Sequence, residues 1–514
     1  MQGIIKIDME ERYIAAVDLG TSKIALTIAK VSGYDVQVVY YKETPSLGVR
    51  YSYVLIPGKV EACLRQAIDE AQEELGIKIL QAIVGLPRYF VRQETASAET
   101  ERSDEDSQIQ LSEVEAVKSM ALESYPLNDP KKETIYGAVA QSFSTDENIN
   151  ELENDVIGMT GATLAGNFKI FVGNRRYSIN IDNVFNNLGI AIAKKYFTPG
   201  ITARAVLKHE QMENGVALLD LGAGVSSVTI FKGNIMRYYA AIPFGGNAIT
   251  NDIKSECNIS FELAENIKKA YGACIPGKLS TLGEKIIQIL DDDGMPSIEV
   301  PVKYISEVIS AREKEIIEAL LYKIEESGFS DENCLRAGVV ITGGGANLLN
   351  CANLIKDMSG YSVKVGRLRP FFSCEDCLGV MEASASTSMG MILAAQGDTL
   401  LNCVKEPPMP DWWENVDSLG APANDDSNAE TEVPKENPEP VIENSVAAAR
   451  ETEMNETVFS KPSEEERVEY ERRKAEEKEK KKKDKPKFKW FKSLVNKVED
   501  TAGHLYDEMN NEGV

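Results

Sequence analysis

Histidine is almost missing from this chain of 514 residues, which has only His209 and His504. Nucleophilic units of the Ser-His-Asp or Cys-His kind need an imidazole base, so the composition argues against that chemistry. If the chain is an enzyme, it works through carboxylates, backbone amides and a metal-bound phosphate. Positive charge is also short, with 56 Lys and Arg against 81 Asp and Glu and a formal charge of −25. So acidic a chain is repelled by phosphate backbones, which excludes broad nucleic-acid binding unless basic residues cluster, and the one such cluster lies at the far C-terminus. No run of ~18 or more uncharged apolar residues occurs, and Met1 to Arg12 carries charges where a signal peptide needs an apolar stretch. The expectation is a cytoplasmic chain without a membrane span. Among eight scattered cysteines only Cys374 and Cys377 lie close together. That pair is half a zinc site or a redox motif at most, and with no second pair or nearby histidine, ordinary reduced thiols are expected.

What is present is a large apolar fraction, 43%, enough for a sizeable core over about three units of ~150 residues. Up to residue 404, short Val- and Ile-rich runs alternate with helix-period segments: Tyr13 to Asp18, Val60 to Leu75, Ile83 to Leu86, Val216 to Ile230 and Val339 to Thr342. That alternation predicts an α/β fold with mixed sheets. From 405 to about 462 the chain is rich in Pro, Asn, Glu and Ala and nearly lacks apolar periodicity, which predicts a flexible acidic linker. Residues 463 to 485 mix both charges at i,i+4 spacing, as a solvated helix or charged spacer does.

After Pro486 the pattern changes. Phe491, Leu494, Val495, Val498, Ala502 and Leu505 form one apolar stripe on an α-helix. Phe488 and Trp490 precede it, and Lys487, Lys489, Lys492 and Lys497 flank it. Such a helix suits the interface of an anionic membrane, where it lies flat. Docking in a partner's groove or folding back onto the body are the alternatives.

Three stretches carry the chemistry. In Ala15 to Leu26, apolar runs enter and leave a tight turn at Gly20. A strand-turn-strand unit of this kind brings backbone amides close to an anion. Asp18 at the strand end is placed to orient a water on Mg²⁺, and Thr21, Ser22 and Lys23 offer amide, hydroxyl and ammonium donors to phosphate oxygens. The design recurs in Val216 to Ile230, with Asp220, Gly222, Ala223, Gly224 and Ser226. Two Asp-Leu-Gly hairpins can face one another and clamp a phosphate chain and its metal from both sides. Third, Val339 to Leu349 runs from a buried strand through Gly343, Gly344 and Gly345 into an expected helix, a turn that lets backbone lie against a base and ribose or aims a helix N-terminus at phosphate. Singly, each motif is more often a plain turn; the pairing of the first two is the specific signal.

The order of these motifs resembles the actin and heat-shock-chaperone ATPase superfamily. Thr198 to Ala205 and Ala385 to Leu393 fall where that superfamily has helices crossing between its two domains. Within it, the chain is similar to the FtsA family of bacterial cell-division proteins. The similarity rests on Pro243 to Ile253, on Ala264 to Gly272 with Glu265 and Lys268 approaching the adenosine, on Glu307 to Arg312, and on the stretch Leu86 to Gly166 where the family carries its own inserted subdomain.

The resemblance implies an actin-like two-lobed α/β ATPase fold. Residues 13–86 form the first lobe together with 167–198 and 370–400, 87–166 form the insert, and 199–369 form the second lobe. A linker at 405–486 and a membrane-targeting amphipathic helix at 487–509 follow. It also implies ATP and Mg²⁺ between the lobes, head-to-tail filaments, and tethering of the FtsZ ring to the cytoplasmic face of the inner membrane at the division site. The FtsZ C-terminal peptide would dock around 251–335, with Ile305 to Glu326 fitting that role or simply a core helix, and later division proteins would be recruited. The second hairpin departs from the superfamily pattern: Ala223 replaces a Gly, Val225 a Thr and Ser227 an Asp, while Thr198 stands where hydrolytic relatives have an acid. Neither place offers a carboxylate to align an attacking water, so slow or negligible hydrolysis is expected. A pilus-assembly scaffold or a sugar or acetate kinase of the same fold are the alternatives, the kinase lacking an identifiable general base.

Overall fold

The structure, a computed structural model, describes residues 11–290, 296–331, 333–375 and 377–405. The expected linker beyond Lys405 and the expected amphipathic helix, with Phe488, Lys489, Trp490, Phe491, Lys492, Leu494, Val495, Lys497 and Val498, lie outside these residues.

The chain opens with β1 (Arg12–Leu19), β2 (Lys23–Ser32) and β3 (Asp35–Pro45) as an antiparallel meander. β1 and β2 are apolar and buried almost throughout, which is what strands covered on both faces require. A two-residue pair, β4 (Val49–Arg50) and β5 (Tyr53–Val54), leads to helix α1 (Pro57–Leu75). A proline opens α1 and Gly76, with φ at +63°, closes it in the left-handed region. Its buried residues Val60, Leu64, Ala67, Ile68 and Ala71 follow the helical repeat. Strand β6 (Gln81–Gly85) then pairs parallel to β1.

Next come β7 (Arg92–Glu101), α2 (Leu111–Glu123), β8 (Glu133–Ser144), α3 (Glu153–Val156) and β9 (Thr163–Asn174). They make a separate sheet of order β7-β9-β8 with its own core around Ile109, Val117, Phe143, Leu164 and Phe168. β9 continues past residue 166 to Asn174. Helix α4 (Arg175–Leu188) and strand β10 (Ala191–Tyr196) return to the first sheet, where β10 pairs parallel to β6.

A second sheet follows the same plan. After α5 (Thr198–Val206) and α6 (His209–Asn214) come the antiparallel strands β11 (Val216–Leu221), β12 (Ser226–Lys232) and β13 (Ile235–Ile242). Helices α7 (Gly246–Cys257) and α8 (Phe261–Tyr271), a hairpin of β14 (Ile286–Leu290) and β15 (Pro296–Pro301), and the long helix α9 (Val302–Glu326) lead to β16 (Val339–Thr342), parallel to β11. Then come α10 (Cys351–Ser359), β17 (Val363–Val365), β18 (Ser373–Cys374) and α11 (Ser386–Ala395). The sheet orders are β10-β6-β1-β2-β3-β18 and β13-β12-β11-β16-β17. In both, a three-strand meander is extended on its first strand by parallel strands, so the fold is built twice.

Helices α5 and α11 join the halves. Their packing is close because α11 has Gly390 facing α5: a methyl group there would sit 2.9 Å from the Ile201 carbonyl oxygen. These are the two helices expected at 198–205 and 385–393. Among the described residues no helix is long and apolar enough to cross a membrane.

Candidate functional site

The turns β1–β2 and β11–β12 have the same backbone. A methyl group on Gly20 would sit 2.6 Å from the carbonyl oxygen of Lys23, three residues on, and one on Gly222 would meet the carbonyl of Val225 more closely still. Glycine is required at both places by close approach of the chain to itself. The hairpins also meet: a Cβ on Gly224 would lie 2.8 Å from Thr21 Oγ1 and 2.8 Å from Thr21 Cγ2. The two expected phosphate loops therefore stand tip to tip, one from each sheet.

The second hairpin is held from behind. The amide of Gly246 donates to the Gly222 carbonyl at 2.9 Å, and that of Asn247 to the Ala223 carbonyl at 2.8 Å. Gly245 is packed so tightly that a Cβ would meet both of those carbonyl oxygens. The third loop closes on the same hairpin. Gly343, with φ at +84°, leaves 2.5 Å between its Cβ position and Asp220 Oδ1, and Gly345 leaves 2.8 Å to Leu221 Cβ. Gly344 to Asn347 form a single 3-10 turn, and α10 begins only at Cys351. The expected helix thus starts later than the glycines, because a positive φ at Gly343 turns the chain before a helix can form.

Asp18 and Asp220 end the corresponding strands β1 and β11. Burial pushes the Asp18 carboxyl up, against the opposing pull of Arg88 and Lys23. Asp220 Oδ2 is ion-paired with Arg88, with 12% and 16% of the two side chains exposed. Lys23, expected to reach phosphate, is ion-paired with Glu43. In α8, Lys268 Nζ sits 2.6 Å from Glu265, 2.8 Å from Thr250 Oγ1 and 2.9 Å from the Gly246 carbonyl. Burial favours raising the Glu265 carboxyl, but Lys268 and the Thr250 hydroxyl outweigh it and hold the carboxyl below its usual range. The pair thus reaches the site through the backbone at the start of α7.

Between the second hairpin, α7, α9 and the third loop lies a narrow crevice of about 10 Å³, lined by Gly222, Ser226, Gly245, Ile249, Glu313 and Gly345 among others. Burial pushes the Glu313 carboxyl up to about 7. Among the described residues, Ser226 Oγ at the hairpin and Thr198 Oγ1 at the start of α5 are buried without a hydrogen-bond partner. Buried hydroxyls are seldom left so, and both would be satisfied by a polar ligand. Glycine-lined hairpins that meet at their tips and a partnerless Ser226 suit phosphate oxygens, while the crevice beside the third loop has room for little more than one water. Among the described residues no three His, Cys, Asp or Glu side chains gather as a metal cage. Two carboxylates at strand ends instead suit a magnesium ion that keeps its waters and is shared with phosphate. Cys374 and Cys377 are not disulfide-bonded.

Sequence reasoning passed over Arg88, Ser52, Tyr239 and Glu313. Arg88 follows a proline just after a strand, 132 positions from its partner, and no local spacing signals such a pairing.

Residues 217–390 match the family model of the cell division protein FtsA. The FtsA of Neisseria meningitidis is 27% identical over 390 residues, covering 76% of this chain and 91% of that protein. The FtsA of Borreliella burgdorferi is 28% identical over 362 residues, covering 70% and 85%. The chain is similar to the FtsA cell-division proteins. The PilM-PilN type IV pilus biogenesis complex has the same fold, with a TM-score of 0.52 and 15% identity over 74% of this chain and 98% of that one. The fold is the actin-like α/β fold, and the part matched by the FtsA family model contains the second hairpin, the buttress at Gly245 and the third loop.

Proposed function

We propose that this FtsA relative is a cell-division adaptor that binds ATP with Mg²⁺ between its two sheets, assembles into actin-like filaments and tethers the FtsZ ring to the cytoplasmic face of the inner membrane. The observation that carries the nucleotide part is the tip-to-tip contact of two glycine hairpins, Gly224 on Thr21, with the third glycine loop closed against one of them. Hairpin amides and the Ser226 hydroxyl bind phosphate oxygens, and the backbone of Gly343 to Gly345 borders the nucleoside. Asp18 and Asp220 would hold magnesium through water; the ion, when bound, offsets phosphate charge. Thr198 and Ser227 offer no carboxylate to align water, so nucleotide serves assembly with little or no turnover.

Tethering belongs to the amphipathic pattern of 487–509, with Lys489, Lys492 and Lys497 beside Trp490 and Phe491. Each basic residue contributes only ~1 kcal/mol at an anionic surface. A filament carrying many such segments binds by avidity, so assembly and attachment are coupled. The FtsZ C-terminal peptide docks around 251–335, and later division proteins bind the inserted sheet. The pilus-scaffold alternative has a likeness of fold alone, whereas the FtsA likeness extends to sequence.

The test is sedimentation with anionic liposomes, ATP and FtsZ, comparing the full chain with a truncation at residue 486. Pelleting of the full chain with FtsZ, and not of the truncation, supports tethering. If both stay in solution at low salt, the membrane reading fails.

A further inference from the structure

Helix α5 begins without a cap. Phe197 occupies the position where a Ser, Thr, Asp or Asn side chain ordinarily accepts from the first amides, and no side chain bonds to them. Pro199 has no amide hydrogen, but the other residues of the first turn do, and a helix offers them no internal partner. This helix start is inside the protein. Thr198 is 1% exposed, and its hydroxyl is buried without a hydrogen-bond partner. It is also held firmly in place: the Phe197 ring stacks on Phe171 of β9 with centroids 4.5 Å apart and meets Tyr239 of β13 edge-on at 5.2 Å. A buried, uncapped helix start with an idle hydroxyl costs stability unless something polar completes it.

The fold indicates what completes it. Strands β10, β6 and β1 are neighbours and run parallel, with Tyr196 paired to Gly85. Asp18, Gly85 and Thr198 therefore gather at the carboxyl ends of three adjacent strands, which is where open α/β sheets bind their ligands. A methyl group on Gly85 would sit 2.9 Å from Thr198 Cγ2 and 4.0 Å from Asp18 Oδ1. Glycine at the end of β6 is what lets the start of α5 come down beside Asp18, two residues ahead of the first hairpin's Gly20. The positive end of a helix and an unused O–H donor both call for an anion, and α5 has no acidic residue in its first turn to meet that demand. The Asp18 carboxylate repels a bare anion but accepts a phosphate that arrives with magnesium.

We propose that Thr198 and the start of α5 form the subsite for the terminal phosphate of a nucleoside triphosphate, so that this chain tells ATP from ADP through the Thr198 hydroxyl. The proposal rests on the nucleotide-binding reading above. Thr198 is a specificity residue here: its O–H donates to an oxygen that ADP lacks, and no bond is made or broken.

The experiment is isothermal titration of the full chain with a non-hydrolysable ATP analogue and with ADP, both with magnesium, for the wild type, Thr198→Val and Thr198→Ser. The wild type is expected to bind the triphosphate at least about tenfold more tightly than ADP. Thr198→Val, which keeps the shape and removes the donor, should lose about tenfold for the triphosphate and less than about threefold for ADP. Thr198→Ser should keep the wild-type ratio. A thermal melt without nucleotide separates this role from a structural one: a hydroxyl that has no partner is replaced at no loss, so Thr198→Val should melt at or above the wild type. A fall of several degrees would reveal a structural hydrogen bond and overturn the proposal. Equal losses for both nucleotides, or an unchanged triphosphate affinity, overturn it as well. Melting in inorganic phosphate alone tests the free anion; stabilisation of the wild type that Thr198→Val loses would give the subsite to free phosphate and overturn its assignment to the nucleotide. If the wild type binds both nucleotides equally, the nucleotide reading survives and the subsite falls. If it binds neither, both fall together.

Discussion

The two hairpins are the same backbone put to different uses. At the first, Gly20 closes on the Lys23 carbonyl, and the exposed Ser22 and the ion-paired Lys23 mark the rim of the cleft. At the second, Gly222 closes on Val225 in the same way, yet Gly224, Val225 and Ser226 are all buried, and the amides of Gly246 and Asn247 clamp the turn from behind. The aspartates differ likewise: Asp220 has Arg88 against it, whereas Asp18 has no ion pair among the described residues, and burial raises its carboxyl. A duplicated turn sets the two hairpins tip to tip where the proposed phosphate site lies. The surroundings decide which copy is rigid and which can adjust.

That contrast can be broken most strongly at the buttress. Gly245→Val would drive a side chain into the Gly222 and Ala223 carbonyls, and overpacking against backbone costs about 3 kcal/mol or more. A thermal melt of the full chain should fall by several degrees, with ATP binding lost. Replacing the aspartates sharpens the comparison. Asp220→Asn leaves Arg88 buried without its charge partner and should destabilise the fold by roughly 3 kcal/mol, whereas Asp18→Asn removes a poorly solvated carboxylate and should be neutral or slightly stabilising. Paired urea titrations read the difference; equal losses would show that the two strand ends are equivalent after all.

A third prediction concerns pH. Glu313 is buried in α9 beside the crevice, and its carboxyl titrates near 7 in place of the usual 4.5. Folding thus favours the protonated form: stability from this group is complete below about pH 4.5 and is lost as pH rises through 7. Glu313→Gln should stabilise the protein at pH 8 by up to roughly 3 kcal/mol and make little difference at pH 4.5. A stability gain independent of pH would sink this account. The smallest effect belongs to the rim: Lys23→Met breaks a part-exposed pair with Glu43 and should shift stability by about 0.5 kcal/mol, less at high salt.

Much of this was legible in the sequence, because turns and periodic runs are local. The strands around Asp18 and Asp220, helix α1, and the crossing helices α5 and α11 all follow from apolar spacing with a glycine or proline at the end. Glu313 falls in step with Ser306, Ser310 and Ile317 on the buried face of α9, a position that helical spacing could have flagged but that its charge masks. Arg88 had no such signal: its partners Asp220 and Tyr239 lie on another sheet, brought near only by the crossing of the halves. The helix expected after the triple glycine follows at Cys351, beyond a 3-10 turn, because Gly343 takes a positive φ, a backbone choice that glycine permits and sequence does not reveal.

The central claim is that both hairpins serve one nucleotide. Isothermal titration of the full chain with ATP, repeated on Gly20→Val and Gly224→Val after a check that each is folded, tests it most directly. The account predicts one ATP per chain in the wild type and at least about a tenfold loss of affinity in each variant, although the substitutions lie on different sheets. Unchanged affinity in either variant would contradict it.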